Sequence, residues 1–167
     1  MCKSVHIIPF EPEHAAYLAS RSIEGIDLGE EDVISTAKRW GISGPAFTAA
    51  YLDSGESFGV GKIEDVRGSI VGCGGLMLLW PGVGQGWVII DRMVREFLRK
   101  EAYTVVVAKI TELSLEYKLH RIQAVVRKDL IPALKYASNL GFKPEGILRQ
   151  YDSQKRDYVM FSMVGVS

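Results

Sequence analysis

Between Thr104 and Leu119 the apolar residues Val106, Ile110, Leu113 and Tyr117 recur at helical spacing, while Lys109, Glu112 and Glu116 share a wetted side. Apolar runs that read as strands stand before and after it, Trp87–Val94 and Arg121–Arg127. Strand, helix of crossover length and strand together predict two parallel neighbours with the helix packed back over them. No other stretch restricts the fold as much.

The rest of the chain adds elements around that unit. Ser69–Trp80 and Trp87–Val94 are separated by Pro81-Gly82-Val83-Gly84-Gln85-Gly86, six turn-forming residues that predict an antiparallel hairpin. Gly72, Gly74 and Gly75 inside the first arm predict a bulge or a close backbone approach. Upstream, Val5–Ile8 reads as a strand stopped by Pro9, and Glu11–Arg21 and Glu31–Trp40 read as helices, the second stopped by Gly41. Ala46–Leu52 reads as a strand, and Asp53–Gly68 mainly as loop, with a little strand around Val60–Ile63. Downstream, Ile131–Leu140 reads as a helix with Asp129 as its cap, Pro132 in its first turn and Gly141 as its left-handed stop. Lys143–Gln150 and Asp157–Val164 close the chain as strands. The order is strand, two helices, three strands, helix, strand, helix, two strands: one mixed α/β domain over residues 1–167, without repeat or linker.

Charge narrows the choice of partner. Twenty lysines and arginines balance twenty aspartates and glutamates, whereas a nucleic-acid-binding domain carries a basic excess to meet phosphates. The expected partner is a small molecule or a protein, with no nucleic acid and no membrane, since no apolar run approaches the ~18 residues of a span. Cys2 and Cys73 form no disulfide framework, and His6, His14 and His120 have no paired ligand spacing, so no metal is expected. The start of the chain carries no signal-like apolar stretch, which predicts a cytoplasmic protein. Gly82-x-Gly84-x-Gly86 lacks dinucleotide-loop spacing, and Gly59-Val60-Gly61-Lys62 lacks that of a P-loop.

The C-terminal third carries a family resemblance. Leu140-Gly141-Phe142-Lys143-Pro144-Glu145-Gly146-Ile147-Leu148-Arg149 is similar to the Leu-Gly-Phe-x-x-Glu-Gly-x-Leu-Arg stretch of the ribosomal-protein N-terminal acetyltransferases, a branch of the GNAT family. Arg121–Val126 resembles that family's fifth strand and Arg156–Met163 the branch's closing strand. The resemblance implies the GNAT (acyl-CoA N-acyltransferase) fold, a mixed, mostly antiparallel sheet splayed between strands 4 and 5 and flanked by helices. It implies transfer of an acetyl group from acetyl-CoA to an amine, a small molecule or a protein N-terminus, without a metal, by a monomer or homodimer.

Site residues follow from the same resemblance. The backbone of Met93, Val94 and Arg95 would bind the pantetheine arm, and Arg99-Lys100-Glu101-Ala102-Tyr103-Thr104 would bind the pyrophosphate where a helix starts. Bare amides and the positive end of a helix dipole hold an anion there. Ala102 and Thr104 stand where the family has glycine and glycine or alanine. The usual fourth-strand glutamate falls at Ile89, with Asp91 two residues on and so on the same side; the usual tyrosine falls at Ala137, with Tyr136 beside it; the frequent asparagine falls at Leu130. Asp91 is the candidate base and Tyr136 the candidate acid. Each has a plainer alternative: Asp91 paired with Arg92 or Arg95, Tyr136 packed, and Arg99 and Lys100 merely solvated.

A looser resemblance points elsewhere. Gly44–Ala49, Gly72-Cys73-Gly74-Gly75 and Trp80-Pro81-Gly82 leading to Trp87 look like a phage- and prophage-encoded GNAT-like subset that often lacks the glycine loop. It implies the alternative of a non-catalytic binding or structural factor.

Overall fold

The computed structural model describes residues 3–19, 21, 30–53, 70–91 and 99–165. Among them the elements follow the order β1 (Lys3–Pro9), α1 (Pro12–Ala19), α2 (Glu30–Ser43), β2 (Ala46–Asp53), β3 (Ile70–Trp80), β4 (Val83–Ile90), α3 (Arg99–Glu116), β5 (Arg121–Arg127), α4 (Ile131–Asn139), β6 (Lys143–Leu148) and β7 (Tyr158–Val164). This is the order expected from the sequence. Hydrogen bonds join the seven strands in the order β1-β2-β3-β4-β5-β7-β6. The pairing of β4 with β5 is parallel, as the crossover helix requires, while β1–β2, β2–β3, β5–β7 and β6–β7 are antiparallel.

The expected six-residue turn is shorter. Pro81 and Gly82 alone turn the chain, and Gly84, Gln85 and Gly86 are strand residues of β4. Gly82 has φ 81°, and proline followed by a residue with positive φ is what a type II turn requires, so two residues suffice. The parallel ladder therefore begins earlier than Trp87: it runs from Val83↔Arg121 to Gly86↔Ala124 and stops there, although both strands continue.

Other boundaries shift for local reasons. α2 passes through Gly41 to Ser43, whose hydroxyl donates to the Arg39 carbonyl (2.7 Å) in the last turn. α3 starts at Arg99, five residues before the expected Thr104, because its first turn is polar and lacks the apolar spacing that marks its middle. Leu130, without a side-chain cap bond, takes the N-cap of α4; Asp129 instead accepts from Arg127 Nε (2.5 Å). The far end of α4 is as expected: Gly141 (φ 98°) donates to the Ser138 carbonyl and Phe142 to that of Ala137, the Schellman pattern. The strand expected around Val60–Ile63 lies outside the described residues.

The chain divides into two compact units, residues 1–76 with 88–108 and residues 77–87 with 109–167. In the first, α1 packs with α2, and β1 pairs along its whole length with β2. Ile8, Ala50 and Leu52 cluster, as do Ala49 and Val71 with Val5, Tyr51 and Ile90 around them. One buried polar contact crosses from α1 to β2: His14 Nδ1 lies 2.6 Å from Thr48 Oγ1 and accepts from the Glu11 amide at 3.2 Å. An Nδ1 that accepts from an amide makes the ring neutral with its proton on Nε2. Gly75 answers the expectation of a close approach, since a Cβ there would collide with the Pro45 carbonyl oxygen, and Leu76 donates to that same oxygen (2.9 Å).

In the second unit Ile122 and Phe161 are buried on the face of β5 and β7 that also carries Val126. The opposite face bears a polar row. Gln123 Nε2 donates to Gln85 Oε1 (3.1 Å), Arg121 binds Glu145 through both terminal nitrogens (2.8 and 2.6 Å), and Ser162 donates to Glu145 (2.6 Å). β6 is the outermost strand; it is exposed almost throughout and its register shifts between Pro144 and Gly146. The loop before β7 is organised by Asp152, which accepts from the amides of Gln154 and Arg156 and from Tyr158 Oη.

The two glycines give a graded expectation in urea unfolding. Gly82→Ala places a side chain at positive φ and costs about 1–2 kcal/mol, the left-handed penalty, because the nearby His120 ring is exposed and can turn aside. Gly75→Ala costs more, since the obstruction is backbone of a paired strand; equal midpoints for the two variants would contradict this.

His14 gives a pH dependence. Burial lowers its pKa below the ordinary 6.5, partly opposed by Glu13, so the unfolded chain binds the proton more readily than the folded one. Its contribution is intact above pH 6.5 and is lost as pH falls below that value. The urea midpoint of wild type should decline from pH 7.5 to 5 more steeply than that of His14→Gln.

Candidate functional site

β4 delivers a carboxylate at its end. The Asp91 amide still donates to the Val71 carbonyl (3.0 Å), so the residue remains in strand register, and the two-residue spacing puts its side chain on the same side as that of Ile89. Both are 4% exposed. A buried carboxylate needs a partner, and among the described residues Arg21 is one, its Nε donating to Oδ2 at 2.6 Å. Arg21 continues the last turn of α1, its amide donating to the Leu18 carbonyl (2.9 Å), and its guanidinium lies 5.4 Å from the Tyr17 ring centre. The hydrogen bond and charge of Asp91 raise the Arg21 pKa. Arg92 and Arg95, the partners the sequence offers, lie outside the described residues. Seventy residues separate Arg21 from Asp91, and nothing in the local sequence announces their contact.

The residues expected at the phosphates form a first helical turn rather than a loop. Arg99, Lys100, Glu101 and Ala102 open α3, where the first amides have no intrahelical acceptor. Tyr103 and Thr104 already lie one turn in, and the Thr104 hydroxyl donates to the Lys100 carbonyl (2.9 Å). Lys100, Glu101, Thr104 and Val105 line a depression of about 300 Å³ together with Ser4 and Val5 of β1. Ser4 in turn pairs with His6 Nε2 (2.8 Å). Three residues of the expected phosphate run thus share one surface, while Met93, Val94 and Arg95 lie outside the described residues.

Asp91 and the start of α3 belong to the first unit; Tyr136 belongs to the second. Tyr136 is half-buried on α4 with its hydroxyl enclosed, and Ala137 beside it is buried. Also in the second unit, Arg121 first and Ser162 second hold the Glu145 carboxyl down to about 2. The only signal for that group in the sequence is the spacing of charges along separate strands, which does not specify pairing. Cys73 is no nucleophile in the folded chain, because burial pushes its thiol far above the usual range. Among the described residues no group of three His, Cys, Asp or Glu side chains could hold a metal ion, and no helix is long and apolar enough to cross a membrane.

Neither a family model nor a curated protein sequence matches the chain. Solved structures do match. A GNAT-family acetyltransferase from Bacillus anthracis is 16% identical with a TM-score of 0.68, over 100% of this chain and 98% of its own. Ard1 from Thermoplasma volcanium is 16% identical with a TM-score of 0.67, over 96% and 97%. A chimeric spermidine N-acetyltransferase SpeG of Vibrio cholerae and hSSAT is 11% identical with a TM-score of 0.65, over 97% and 96%. At such identities the likeness concerns architecture, and it agrees with the strand order, the parallel β4–β5 ladder and the helix between them: this chain has the GNAT acetyltransferase fold.

Proposed function

We propose that the chain is an N-acetyltransferase that moves an acetyl group from acetyl-CoA to an amine, a small molecule or a protein N-terminus. The observation that carries this reading is the start of α3, where first-turn amides and the exposed Lys100 adjoin a depression of about 300 Å³ in a fold shared with acetyltransferases. Free amides, the positive end of the helix dipole and an ammonium suit the diphosphate of CoA, and Glu101 opposes them in part. Ala102 and Thr104, in place of glycines, limit how closely a phosphate approaches the backbone.

Acetyl-CoA supplies an activated thioester, so a neutral amine attacks directly and the reading includes no metal. Asp91 is assigned the proton of the incoming ammonium, through a water, since its carboxylate is enclosed. Tyr136 is assigned the proton for the departing thiolate. The backbone of Met93, Val94 and Arg95 is assigned the pantetheine arm by the family resemblance. Amine acceptors suit the similar structures, which include a spermidine N-acetyltransferase. A cytoplasmic location and a monomer or homodimer complete the reading.

A second reading is a non-catalytic, phage-like GNAT protein that serves as a binding or structural factor. Ala102 and Thr104 inside a regular helical turn, and buried Ala137 where a tyrosine is usual, favour it.

Calorimetry separates the two. Wild type should give binding heat with CoA, and Lys100→Glu should weaken binding roughly tenfold at low salt, about 1.4 kcal/mol. The loss should shrink at high salt, where exposed charges are screened. Absence of heat in wild type would establish the second reading.

Catalysis has its own check. Asp91→Asn should lower kcat by ~10²–10⁴-fold, the usual cost of a positioned base. Its Tm should move little, because asparagine has the same shape and its amide oxygen can still accept from Arg21 Nε. An acetyltransferase whose kcat ignores this substitution removes Asp91 from the chemistry.

A further inference from the structure

We infer that Arg21 is the positioning residue of the amine-acceptor side of the site, acting through Asp91 and touching neither acetyl group nor amine. The inference rests on the acetyl-transfer reading. The terminal torsion of an aspartate is broad and roughly two-fold, so a carboxylate at a strand end has no fixed lone-pair direction of its own. The Nε–H of Arg21 supplies one: bound to Oδ2 at 2.6 Å, it restrains rotation of the carboxylate.

Arg21 can do this because it is itself held. Its amide closes onto Leu18, which is fully buried on α1, and its guanidinium rests over the Tyr17 ring of the same helix. The ion pair is asymmetric, with side-chain exposures of 45% for Arg21 and 5% for Asp91. A surface ion pair between two mobile side chains fixes little, but here one partner is desolvated and the other is anchored by a helix. The end of α1 thereby determines the geometry at the end of β4, two elements separated by α2, β2 and β3 in the chain.

The test uses the full-length protein with acetyl-CoA, thiol release being followed with spermidine and with a peptide bearing a free alanyl N-terminus as acceptors. Arg21→Gln should lower kcat about 100-fold, the scale of a misplaced reacting group, while the Kd for CoA stays at the wild-type value. Arg21→Lys keeps a cation within reach of Asp91 and should recover much of that loss. The decisive comparison is made in the D91N background, where Arg21→Gln should lower kcat no further. An equal effect in both backgrounds, or wild-type kcat for R21Q, overturns the inference. If R21Q does not fold, Arg21→Met, which also removes the donor, is compared in the same two backgrounds by the same criterion. Wild type without CoA heat and without thiol release overturns the acetyl-transfer reading and this inference together; intact CoA binding with kinetics indifferent to Arg21 overturns the inference alone.

Discussion

The carbonyl of Gly82 sets the register on which the second unit is built. It accepts from the amides of both His120 (2.9 Å) and Arg121 (3.2 Å), while the His120 carbonyl accepts from Gly165 (2.8 Å). One turn residue thus receives the chain as it leaves α3 and places Arg121 beside Val83. The tight Pro81-Gly82 turn leaves that oxygen at the strand entrance; a six-residue turn would have put the first ladder pair elsewhere. Everything downstream inherits this choice, because a slip of one residue would carry Gln123 and Arg121 to the face occupied by Ile122 and separate Gln123 from Gln85.

The sequence exposes what is encoded over a few residues. The middle of α3 declares itself by period and α4 by Pro132 and Gly141. These dictate a mixed α/β order and a parallel pair, and the structure has both. Boundaries fare worse where composition misleads: Gly84 and Gly86 look like turn residues but extend β4, and the polar Arg99–Glu101 looks like loop but forms a helical turn. Contacts between distant segments are not legible at all. Arg21 finds Asp91 because α1 and the end of β4 meet in the folded chain, and Glu145 finds Arg121 because β7 lies between their strands. At the candidate site, therefore, the Arg21–Asp91 contact is not readable from the local sequence.

The two polar arrangements differ in kind. Asp91 is covered and bonded by Arg21, whereas Glu145 is more open and held by a bidentate guanidinium and a hydroxyl. The first arrangement fixes one group at the end of a strand. The second joins three strands across one face, where the register of β6 shifts.

That interruption also decides how the sheet ends. A straight outer strand would present a row of unanswered amides and carbonyls to any extended peptide nearby. β6 presents Lys143, then Pro144 with no amide hydrogen, then a register break at Glu145. An incoming strand finds a charge, a missing donor and a kink within three residues, so the ladder does not propagate from this side. That edge is therefore a poor template for strand addition, a property owed to a stretch whose sequence is read first as a family signature.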